Sequence, residues 1–141
     1  MDKTKLLKSL EDESNEHLLN VTSKELMETI FHVLKELSLD KEERLSMMKK
    51  LKGYRYIDDM SELKYGAYIR WIPIDNPREI EIKKGAIFCD VKIMDNGVYL
   101  VCKNYRSKKH FQIKLDGCLV FQKLTEQEKV LISVMDHLST K

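Results

Sequence analysis

At 141 residues, with 43% apolar and 34% charged side chains, the chain has hydrophobic surface for one core and too little for several domains. Its 25 basic and 23 acidic residues leave a formal net charge of +2, which excludes the indiscriminate coating of nucleic acid that a strongly basic composition signals. No apolar run approaches the ~18 residues of a membrane span, and Lys3, Lys5 and Lys8 lead into Glu11-Asp12-Glu13 where a signal peptide would place its apolar stretch. A soluble, intracellular protein with no membrane partner is expected.

Residues 1–20 form a weak helical arm, in which Leu6, Leu7 and Leu10 make a short stripe before a polar break. Such an arm orders only against a partner. The next helix is better signed. Thr22-Ser23-Lys24-Glu25 reads as a capping box, and Leu26, Met27, Ile30, Phe31, Leu34 and Leu37 recur at helical spacing. Asp40-Lys41-Glu42-Glu43 opens another helix, with Leu45, Met48 and Leu51 as its stripe and Gly53 at its end. The short Leu39-Asp40 link makes the two a helical hairpin.

From Tyr54 the period changes. Ala67–Ile74, Ala86–Met94, Val98–Asn104, His110–Lys114 and Leu119–Gln122 read as five strands, rich in β-branched and aromatic residues. Asp95-Asn96-Gly97 signals a tight hairpin of type I′. Thr125-Glu126-Gln127-Glu128 is a further capping box, and Val130, Leu131, Val134, Met135 and Leu138 mark an amphipathic C-terminal helix. The expected fold is therefore α+β: a small five-stranded antiparallel β-barrel-like domain (SH3-like or OB-like) with an N-terminal helical hairpin and a C-terminal helix. The organisation has three parts: a helical arm over 1–52, a β-domain over 53–123, and a helix over 124–141 packing on it. The middle part carries 13 basic and 9 acidic residues, against 10 and 11 before it and 2 and 3 after it, so the positive charge gathers on the β-domain.

The inventory for chemistry is thin. His17, His32, His110 and His137 are dispersed, with no nucleophile turn beside them. Asp58-Asp59 reads as a turn or as the start of one helical turn, Asp59–Leu63, in preference to a metal pair. Cys89, Cys102 and Cys118 lack zinc spacing and read as buried, reduced thiols. The glycines are isolated, so no phosphate-cradling loop is present. The expectation is a protein that is not an enzyme, with no catalytic residue, no metal, no cofactor and no small-molecule substrate.

What remains is binding. The stretch from Gly53 to Ile74 holds the single Trp and four of the six Tyr. Strand alternation puts Trp71 in the core and makes Tyr68 and Arg70 an exposed pair. With Tyr54 and Tyr56, that pair is the expected partner-binding face, able to stack or to grip a carboxylate. Tyr54, Tyr56 and Tyr65 could also form an aromatic cage. The leading expectation is an interaction module that binds a protein partner or forms a homodimer through its helical arms and this face. The alternative is a nucleic-acid-binding accessory protein using Lys103, Tyr105, Arg106, Lys108 and Lys109 on one β-loop, where cations meet phosphates and an aromatic offers a stacking surface. Arg78, Lys83 and Lys84 extend this patch, diluted by Glu79 and Glu81. The bland reading is a solvated loop whose lysines discourage edge pairing.

The segment Gly53-Tyr54-Arg55-Tyr56-Ile57-Asp58-Asp59, with Leu63–Ile72 after it, resembles one found in small proteins of nucleocytoplasmic large DNA viruses. The run from Phe111 to Asp116 and from Phe121 to Thr125 resembles the same proteins. The resemblance covers the C-terminal two-thirds of the chain. It implies a viral protein acting in the infected host cytoplasm or packaged in the virion, and it transfers no activity and no functional residue.

Overall fold

The computed structural model describes Leu18 and residues 21–140, so the expected arm over 1–20 lies, Leu18 apart, outside the described residues. Helix α1 spans Ser23–Lys35 and α2 spans Lys41–Lys50. At the start of α1 only half of the expected capping box forms, because the Glu25 carboxylate meets the Thr22 hydroxyl in place of the Thr22 backbone N–H. Thr22 Oγ1 accepts from the Glu25 N–H and donates to the Glu25 carboxylate, each at 3.2 Å. Asp40 caps α2 by accepting from the Glu43 N–H at 2.8 Å, and that bond holds its carboxyl below the usual 3.8. The buried seam of α2 is Met47 and Leu51, with Met48 half-buried, whereas Leu45, expected in the stripe, is 48% exposed.

Six strands follow: β1 Tyr54–Ile57, β2 Tyr68–Pro73, β3 Ala86–Met94, β4 Gly97–Lys103, β5 His110–Lys114 and β6 Cys118–Lys123. They form one antiparallel sheet in the order β1-β6-β2-β3-β4-β5. Two expectations are corrected here. The strand count is six, because β1 escaped notice: its inward positions are Arg55 and Ile57, and a charged residue at an inward position hides the alternation. The sheet is also open, with β1 and β5 as its edges, so it is no closed barrel. It does curl: Trp71 on β2 and Phe111 on β5 lie with ring centroids 5.7 Å apart although two strands separate them.

The expected type I′ turn is corrected as well. That turn needs positive φ at both central residues, whereas Asp95 and Asn96 have none and only Gly97, at φ 138°, lies in that region.

Residues paired across an antiparallel sheet point to one face, so the register sorts every side chain. The inner face gathers Ile57, Ile69, Trp71, Ala86, Phe88, Leu100, Cys102 and Val120 into one core. The outer face of β1, β6 and β2 is covered by α1 and α2, where Ile30, Leu34, Met47 and Leu51 meet Ile72 and Phe121. Among the described residues the outer face of β3, β4 and β5 has no such cover: Lys92, His110, Gln112 and Lys114 are exposed on it.

The segment expected to form one helical turn does so. Asp59 caps a 3-10 turn over Met60–Glu62 in a full capping box. Helix α3, Glu126–Ser139, begins at Thr125 with another. It is held at both ends. Asp136 takes the Ser23 N–H and hydroxyl at 2.8 and 2.7 Å, and Glu128 is fully buried against Arg55. No helix among the described residues is long and apolar enough to cross a membrane.

Candidate functional site

The loop joining β4 to β5 is built by Asn104. Its side-chain oxygen accepts from the Arg106 and Ser107 N–H groups, both at 3.0 Å, and its backbone N–H and carbonyl bond to Lys109 and Lys108 at 2.9 Å. Asparagine suits this position because its short amide mimics a backbone turn. The loop is thus a closed, specified structure. It turns on Lys108, whose φ of 62° is the one positive value at a non-glycine residue among the described ones. That conformation brings the Lys108 ammonium 4.7 Å from the Tyr105 ring centroid, a cation–π contact that orients an otherwise 65% exposed tyrosine.

The same loop forms one wall of a cleft of about 580 Å³. Tyr68, Lys84, Gly85 and Lys123 line it opposite Asn104, Tyr105 and Arg106. The sheet register explains the meeting. Lys123 pairs with Tyr54, Tyr68 with Ile87, Ile87 with Lys103, and Lys103 with His110, so the cleft follows one row of outward-facing residues at one end of the sheet. Gly85 makes the floor possible. A Cβ there would stand 2.7 Å from both the Ile69 carbonyl and the Tyr68 ring, and its φ of +115° disfavours any other residue. The Tyr68 ring is fixed from its other end by the hydroxyl, which donates to the Lys84 carbonyl at 2.9 Å.

Electrostatically the cleft is one-signed. Among the described residues Lys84, Arg106 and Lys123 line it and no carboxylate does. Among the described residues these three cations form no ion pair. No imidazole or thiol lines it either.

The expected site residues are therefore divided. Tyr68, Tyr105 and Arg106 come together in the cleft. Lys103 and Lys108 flank it, and Lys109 sits at the exposed foot of the loop. The reading of Tyr68 and Arg70 as an exposed pair is corrected: both are half-buried. Arg70 donates from Nε to the Lys83 carbonyl at 2.9 Å and from Nη1 to the Lys50 carbonyl at 3.4 Å, stapling the end of α2 to the excursion before β3. Tyr54 and Tyr56 are half-buried under the helices, and burial raises both phenols above their usual 10. The aromatic cage does not assemble. Tyr56 packs on Phe121 of the outer face, while Tyr65 stacks on Phe88 of the inner one.

Sequence reasoning missed Lys123, Gly85 and the role of Asn104. It also missed a buried ionic cluster on the inner face. Arg55, 3% exposed, places Nη1 2.8 Å from Glu62 and Nε 3.2 Å from Glu128, which Lys64 approaches at 3.6 Å. The Arg55–Glu128 approach lacks hydrogen-bond alignment, so it acts as a charge pair. Gln122, also fully buried, fastens the Lys64 N–H and the Glu62 carbonyl at 2.8 and 3.3 Å.

Asp59 is committed to the Ser61 N–H at 2.9 Å, and no group of three or more His, Cys, Asp or Glu among the described residues could hold a metal ion. His32 and Glu36 share a groove of about 350 Å³ with Tyr56, but both are exposed and no thiol or serine hydroxyl lines it. Compared with known proteins, the chain matches no family model, no curated protein and no solved structure.

Proposed function

We propose that this protein is a non-catalytic binding module for single-stranded nucleic acid, and that the cleft between Tyr68 and the Asn104–Lys109 loop is its contact. The observation that carries the reading is the lining by described residues: three cations that form no ion pair among those residues, beside two tyrosines and no carboxylate. Phosphates meet the cations, and bases have π-faces to stack against. That combination holds single strands with little regard to sequence. Two tyrosines beside the cations favour a single strand, whose bases are free to stack, over a duplex, whose recognition needs a helix or ribbon to enter a groove.

What moves the reading from a protein partner to nucleic acid is where the side chains are spent. Arg70 is bonded to carbonyls, and the main apolar faces of α1 and α2 are packed on the sheet. A protein partner or a second copy is the second reading, favoured by Ile93 and Met94, 76% and 49% exposed beside the tip of the β3–β4 hairpin. The setting in an infected cell or virion rests on the resemblance of residues 53–72 and 111–125 alone.

Fluorescence anisotropy of a labelled single strand, titrated at several salt concentrations, tests the reading. Binding is expected to weaken with salt, and the Lys84→Gln/Arg106→Gln/Lys123→Gln variant is expected to flatten the log–log salt slope by roughly 0.7 per cation removed. No binding at low salt sinks the proposal and leaves the protein partner.

A further inference from the structure

The cleft does not end at its own walls. The row of outward-facing residues that runs through it continues onto the outer face of β3, β4 and β5, the part of the sheet that α1 and α2 leave bare. Register places Lys103 beside His110, Val101 between Asp90 and Gln112, and Tyr99 between Lys92 and Lys114. Lys92, His110, Gln112 and Lys114 are exposed, and Tyr99 is half-buried between the two lysines. Asp90 is the one acid in these three rows, and its carboxylate is turned to the neighbouring Val91 N–H at 2.8 Å. The rise of a strand puts Tyr99 about 13 Å from Lys103, so the aromatic lies well beyond the cleft.

This pattern does not follow from folding alone. β5 alternates Phe111 and Ile113 inward with His110, Gln112 and Lys114 outward, which explains the polarity of the face but not its sign. A solvated face of a chain with nearly balanced charge would carry acids and bases in similar numbers. Here the cations sit one to each strand, with a tyrosine flanked by two of them; Asp90 interrupts the run in the middle row, and Asp116 stands beside Lys114 at its far end.

Resting on the reading of the cleft, we infer that the bound single strand leaves it across β4 and runs over Lys103, Val101 and Tyr99, with Lys92 and Lys114 gripping phosphates on either side and a base stacked on Tyr99. The occupant is the same single-stranded nucleic acid, argued from charge complementarity and from continuity with the cleft. The arrangement makes the site longer than the cleft, within the ~4–16 nucleotides typical of small β-modules.

A length series of labelled oligonucleotides tests this on the full chain. The wild type should gain affinity with length beyond what fills the cleft. Lys92→Gln/Lys114→Gln, both exposed positions, should leave the shortest ligands bound as before, remove the later gain, and lower the salt slope by about 1.4 for long ligands only. Tyr99→Ala should weaken long ligands roughly tenfold and short ones little. If both variants bind long ligands as the wild type does while the cleft variant does not, the extended track is wrong and the cleft reading survives. If the wild type binds no oligonucleotide, both fall.

Discussion

Arg55 and Glu128 show what a single side chain decides in this molecule. Each is a charge removed from water, tolerated because Glu62, Lys64 and the Thr125 N–H, 2.8 Å from Glu128, surround the pair. Removing Arg55 leaves two carboxylates, Glu62 and Glu128, with Lys64 as the cation still paired to Glu128. For a buried pair such a loss reaches about 3–5 kcal/mol, whereas replacing an ion pair by apolar groups of similar size is often neutral. Arg55→Met is therefore expected to destabilise strongly in urea denaturation, and adding Glu128→Leu should recover part of the loss. Additive losses would contradict the pairing. The thiols give a second prediction: of the three expected to be buried, Cys102 is, while Cys89 and Cys118 are half-buried. Burial pushes Cys102 from 9 up to about 12 and Cys118 up to about 11. A raised thiol keeps its proton in the folded state while the unfolded chain loses it. Its stabilisation is thus complete below pH 9 and is lost as pH rises toward 12. The melting temperature should fall above pH 9, and Cys102 should resist thiol reagents until the protein is unfolded. Fast labelling of Cys102 in the native state would refute its burial.

At the scale of elements, the loop from Asn104 to Lys109 carries the next prediction. Asn104→Ala removes the acceptor of two backbone N–H groups in an exposed loop, where water replaces it, so stability should change by no more than about 1 kcal/mol. Tyr105 and Arg106 lose their setting, and single-strand affinity should drop several-fold. A full-strength binder would show that loop order does not matter. Much of this level was legible in the sequence. Thr22, Asp40, Asp59 and Thr125 cap helices as their spacing announces, and β5 begins and ends where alternation places it. The failures share one cause. β1 was hidden by Arg55, whose inward position makes sense only beside Glu128, far along the chain. Lys123 and Gly85 carry no local signal, because their value comes from the strand register that sets them against Tyr68. Asp95-Asn96-Gly97 marked the hairpin correctly, but dipeptide preference did not fix its turn type.

The whole molecule reads as a curled sheet with one half of its outer face packed under helices and the other half, among the described residues, exposed. Helices α1 and α2 occupy the first half and leave the aromatic residues beneath them, Tyr54 and Tyr56, half-buried. Helix α3 closes the arrangement by tying the start of α1 through Asp136 and β1 through Glu128. Among the described residues the cations of the open half form no ion pair, an arrangement that under the proposed function would steer an anionic partner and weaken as salt screens it. Photocrosslinking of a single strand carrying iodouridine, followed by peptide mapping, asks most directly whether that half is the contact. The expected crosslinks fall on Tyr105 and Tyr68, with Tyr99 joining for longer strands. Crosslinks confined to Tyr54, Tyr56 or the helices, or no crosslink at low salt, would contradict the account.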